Sequence, residues 1–147
     1  MSDDKKVAKE LVETLKDGAA GFASAADKFR DSDHPEWVTP LQRLSEQRAG
    51  FSREIVELGH DYGDDVDESG TAAAALHRGW MSLKDALTGD DARGVLGAAV
   101  TGEDHAVSEY EKALEGDLSD GFRAVVTRQH AAVVTARDEV KALHAAG

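Results

Sequence analysis

Three long polar residues stand in otherwise apolar helical seams: Arg48, Glu103 and Gln129. Each falls near the middle of a segment whose apolar residues recur in steps of three and four. Buried polar side chains of this size need partners. The expected partnership is an Arg48–Glu103 ion pair, because the arginine fork suits a carboxylate. Gln129, with Gln47 beside the seam, would then complete the hydrogen bonds of a single interior polar layer. Gly18 would leave room for the guanidinium. A second candidate is a small pocket formed by His77, Trp80 and Tyr110. The ordinary reading there is a core tryptophan with a flanking histidine, since aromatic stripes at helical spacing are usually core. His105 and His130 project away from their stripes and read as surface residues.

These residues must be positioned by helices. Aromatic content is 5%, there are two prolines, and Ala, Leu, Val and charged residues dominate, a composition suited to an all-α protein. The first helix is expected over Asp4–Arg30, with Asp4 as N-cap. Its stripe runs Val7/Ala8, Leu11, Leu15, Gly18, Phe22, Ala25/Ala26, Phe29, and Glu10, Glu13, Asp17 and Asp27 point away from it. Asp31 to Pro35 breaks the pattern. The next helix runs to about Leu58, with a capping box from Asp33/Glu36 or Thr39/Gln42. Its stripe is Leu41, Leu44, Arg48, Phe51, Ile55, Leu58. An acidic loop (Gly59–Ser69) and a shorter helix (Gly70–Leu87) follow. The last two helices span Asp91–Glu115 and Leu118–His144.

Four segments have about 25 residues, or roughly 38 Å of helix each. One long crossover carrying the short helix would connect them in the order up, down, crossover, down, up. The expectation is one domain over residues 1–147.

Charge and composition exclude several functions. The net charge is −12, from 29 acids against 17 Lys plus Arg. With no basic cluster, nucleic-acid binding and attachment to anionic membranes are disfavoured. There are no cysteines, so disulfides, thiolate catalysis and cysteine metal sites are ruled out. No apolar run is long enough to span a bilayer and the first residues lack the apolar stretch of a signal peptide, so the expected location is the cytoplasm. The acidic loop fails the calcium-loop pattern, with Val66 at the glycine position and Ala72 at the bidentate glutamate position. Nucleophile-elbow, P-loop and dinucleotide motifs are missing.

Several short pieces in order carry a resemblance. They are Asp17-Gly18-Ala19-Ala20-Gly21-Phe22 with Ala25-Ala26-Asp27, Gln47-Arg48-Ala49-Gly50-Phe51, Leu76-His77-Arg78-Gly79-Trp80 with Leu83-Lys84, and Gly102-Glu103-Asp104 with Tyr110. Through them the chain resembles a family of small bacterial ferritin-like four-helix-bundle proteins built on a domain of unknown function. That family usually has Glu where this chain has Asp27. The resemblance implies a ferritin-like bundle and supplies no activity.

Ferritin-like bundles invite comparison with a di-metal site, which needs an inward Glu on two helices and Glu-x-x-His on each of two others. The sequence does not supply that set, and Arg48 places a cation where a ligand would stand. No metal or other cofactor is therefore expected. The favoured expectation is a non-catalytic bundle, stress-associated or acting through protein partners, with a homo-oligomer as one form of partnership. The alternative is a metal-binding protein with oxidase or iron-handling activity around Glu103.

Overall fold

The computed structural model describes residues 3–61, 80, 83, 86–87 and 92–146. Among them are four long helices: α1 (Asp4–Phe29), α2 (Val38–Asp61), α3 (Ala92–Leu114) and α4 (Asp120–Ala146), with a 3-10 turn at Pro35–Trp37. The described residues contain no strand, and the protein is an all-α four-helix bundle. Of the acidic loop expected over Gly59–Ser69, Gly59 to Asp61 continue α2 instead, and the rest lies outside the described residues. So does most of the short helix expected over Gly70–Leu87, of which Trp80, Leu83, Ala86 and Leu87 are described.

Two apolar clusters give the direction of each helix. One joins Val7–Leu15 of α1, Ile55 and Val56 of α2, Ala106–Ala113 of α3 and Phe122–Val133 of α4. The other joins Phe22–Phe29, Leu41 and Leu44, Val95–Ala99, Ala136 and Val140. α2 and α3 therefore run the same way, antiparallel to α1 and α4. α1 packs on α2 and α3, and α4 packs on α3 and, more sparsely, on α2. α2 and α3 thus occupy a diagonal, and residues 62–91 connect them. Joining two parallel helices on a diagonal takes one long connection rather than a tight turn.

The turn between α1 and α2 is built from aromatic packing. The His34 ring stacks on Trp37 at 4.0 Å between centroids, and Trp37 meets Phe29 edge-on at 5.0 Å. Ser32 donates its hydroxyl to the Phe29 carbonyl and accepts the His34 N–H. The expected capping box does not form at this turn. His34 rather than Asp33 is the N-cap, without a side-chain cap bond, and α2 already begins at Val38, which puts Thr39 inside it. Proline at the first position of the turn fixes the entry instead.

Asp4 is also not the N-cap of its own helix. It lies in the first turn of α1, and its carboxylate accepts the Ser119 N–H at 2.9 Å and the Ser119 hydroxyl at 2.6 Å. The cap it provides is for α4, whose first amides need acceptors. Asp3 adds a carboxylate bond to the Asp117 N–H. Arg123 closes the same corner by donating to the carbonyls of Leu114 and Gly116.

Glycines shape the α1–α3 contact. A Cβ built on Gly21 or on Gly102 would lie 2.3 Å from the Trp80 ring, on atoms at the fused side of the indole. The ring, 1% exposed, is held between two glycine surfaces and meets Phe22 edge-on. Gly21→Ala or Gly102→Ala should displace it and cost about 1–3 kcal/mol. In a Trp37→Phe background the emission of Trp80 should then shift to the red. An unshifted spectrum with unchanged stability would contradict this packing.

Candidate functional site

Arg48 is carried by α2 between Leu44, which belongs to one apolar cluster, and Ile55, which belongs to the other. Glu103 is carried by α3 between Ala99 and Ala106, which divide the same way. Both residues are buried, at 1% and 0% exposure. Their side chains cross the bundle axis and meet in a two-pronged pair. Nη1 donates to Oε1 and Nη2 to Oε2, each at 2.5 Å. Gly18 faces the guanidinium, but a Cβ there would lie 3.4 Å from Nη1 and 3.5 Å from Cγ, at ordinary contact, so the expected need for a glycine at this position does not follow. The Phe22 ring lies 5.3 Å from the guanidinium carbon, within range of a cation–π attraction. The remaining Nε–H donates to Gln47 Oε1 at 3.3 Å.

The electrostatics are opposed. Burial pushes the Glu103 carboxyl above the ordinary glutamate range, and the Arg48 guanidinium pulls it back. The attraction in a low-dielectric interior offsets desolvation only when geometry and hydrogen bonding are good, and the fork provides both.

Gln129 is buried as well, but it belongs to a different network. Its Oε1 accepts the Tyr110 hydroxyl at 2.7 Å. Its amide donates to Glu54 Oε1 at 2.8 Å and to the Phe51 carbonyl at 3.4 Å. Glu54 in turn bonds Arg128 near the surface. The single layer expected from the sequence is thus two networks. The reason is register: the division between the clusters on α4 falls between Val133 and Ala136, one to two turns beyond Gln129. Burial holds the Tyr110 hydroxyl well above the usual phenol range.

The other expected groupings separate too. Trp80 and Tyr110 belong to opposite apolar clusters, and His77 lies outside the described residues. His105 and His130 are half-buried rather than on the surface, each with Nε2 directed toward a glutamate, Glu109 and Glu111 respectively. Asp17, expected to point away from the inward stripe, is nevertheless buried at 1% exposure. It follows Thr14 and precedes Gly21 at helical spacing, in a stripe of small and polar residues that apolar periodicity does not mark. Glu54 and Trp37 also carry structure that the stripes do not show.

The residues at the centre do not fit a di-metal site. Both oxygens of Glu103 are engaged by a cation. Among the described residues no group of three or more His, Asp or Glu is arranged to hold a metal ion. The sequence has a single Glu-x-x-His, Glu57 to His60, near the end of α2, and its Glu57 is exposed.

A family model described as Domain of unknown function (DUF2383) matches residues 6–116. The chain belongs to the DUF2383 family. No curated protein matches it. The DUF2383 match takes in α1, α2, the crossover and α3, and it ends before α4. Arg48, Glu103, Gly18 and the two glycines around Trp80 all fall within it, whereas Gln129 falls outside. The ion pair therefore belongs to the DUF2383 portion of the chain, and the glutamine network joins that portion to the last helix.

Two measurements test this electrostatic assignment. Arg48→Met alone strands a buried carboxylate and should cost about 3–5 kcal/mol. The double change Arg48→Met/Glu103→Leu should cost much less, and equal melting temperatures for the two variants would count against the pair. Tyr110→Phe should lose about 1 kcal/mol at neutral pH with the bond to Gln129. Because the folded phenol is raised, its contribution is complete below the unfolded value of about 10 and is lost as pH climbs beyond it. Denaturation between about pH 8 and about pH 11 should show wild type losing stability faster than Tyr110→Phe. Parallel curves would refute the assignment.

Proposed function

We propose that the chain is a non-catalytic ferritin-like bundle in which the Arg48–Glu103 pair takes the interior position that related architectures give to a di-metal centre. The observation that carries this reading is the two-pronged pair itself. It fills the centre with a cation and engages both carboxylate oxygens, so a metal would have to displace a guanidinium to gain one glutamate. Without an interior reaction centre, the protein acts by binding other proteins through its acidic exterior. Among the described residues no helix is long and apolar enough to cross a membrane.

One observation favours the second reading, a metal-binding protein with oxidase or iron-handling activity around Glu103. Asp17 is a second buried carboxylate, carried by α1. Elemental analysis of untagged protein separates the two readings. The expected result is less than stoichiometric iron and manganese in wild type. Stoichiometric metal that disappears in Glu103→Ala would overturn the non-catalytic reading.

A further inference from the structure

Opposite sides of the bundle are closed by different means. Where α1 faces α3, glycines bring both helices onto the Trp80 ring. α2 and α4 approach each other least among the neighbouring helices, and charged side chains bridge the space between them. Arg43 bonds Glu139 toward one end, and Arg128 bonds Glu54 toward the other. The Gln129 amide reaches Glu54 and the Phe51 carbonyl.

Arg43, Gln47 and Glu54 follow one another at spacings of four and seven, so they form one stripe on α2. Gln47 is half-buried, and it is the residue that receives the Arg48 Nε–H. Gln47 thus places a half-buried polar group of that stripe against the buried guanidinium. The two bridging arginines are themselves more than half exposed, at 56% and 55%. Ion pairs of that exposure hold weakly and are screened by salt. Apolar contacts such as those of Trp80 are not.

We infer that the α2–α4 seam is a salt-sensitive opening edge, through which water reaches the Arg48–Glu103 pair without the bundle unfolding. The seam's polar bridges act as a clasp. The α1–α3 side, wedged by Trp80, is the fixed side about which it opens. This inference is independent of whether the centre ever carries a metal.

Solvent exchange of the Arg48 Nε–H, followed by NMR on the full chain, tests it. Exchange is compared in low and high salt, in wild type and in the Arg43→Ala/Arg128→Ala variant, and across sub-denaturing urea. The buried backbone amides of α1 serve as the reference for global unfolding. The expected result is several-fold faster Nε–H exchange in high salt and in the variant. The α1 amides should keep their rates, and urea should have little effect on Nε–H exchange. Two results would overturn the inference: Nε–H exchange indifferent to both salt and variant, or exchange that moves in step with the α1 amides.

Discussion

A charge pair at the centre of a small bundle constrains everything around it. Arg48 and Glu103 come from helices on a diagonal, so each must extend across the axis to reach the other. The fork then fixes the relative height of α2 and α3, because a shift of one turn, about 5.4 Å, would separate both pairs of atoms. α1 meets the pair at the same level, with Gly18 facing the guanidinium. Apolar packing alone is more tolerant. Leucine and alanine seams accept several registers at small cost, whereas a stranded buried charge does not. In this bundle the pair specifies alignment, and the two apolar clusters on either side supply the bulk of the burial.

The rest of the interior is arranged around that division. Glycine and alanine bring α1 close to α3, with the Trp80 indole filling the gap between Gly21 and Gly102. On the far side, Gln129 and Glu54 join α4 to α2 through hydrogen bonds rather than close backbone contact. The molecule thus has one dry, tightly fitted side and one polar side. Tyr110 belongs to the polar side, where its buried hydroxyl donates to Gln129.

Much of this was legible in the sequence. Helical spacing located the four helices to within a few residues, because their apolar stripes are long and strongly periodic. Arg48 and Glu103 stood out for the same reason: each is a charged residue at an apolar beat. The limits of that logic are equally physical. Asp17 lies in a stretch of small residues, where burial leaves no apolar signature. Gln129 was seen as buried, but its height relative to Arg48 depends on the turn between α3 and α4, which periodicity within one helix does not encode. Asp4 carries an N-cap residue type, yet the helix it caps is α4. Residue type announces capping chemistry; only the fold decides which amide receives it. Trp37 lies past the predicted break, yet its packing on Phe29 and His34 is what makes that break a packed corner.

The bonds between Asp4 and Ser119 bear on how the chain is made. They link positions 115 residues apart, so on a ribosome the first helix emerges long before its corner partner exists. Arg48 and Glu103, separated by 55 residues, face a shorter wait of the same kind. During synthesis α1 and α2 therefore emerge before the carboxylate that pairs with Arg48. The guanidinium has no Glu103 to pair with until α3 is made, and the Asp4 corner has no Ser119 until later still. The chain therefore has both partners of its central pair before it has both partners of its corner. Its order of assembly is written into the distance between partners.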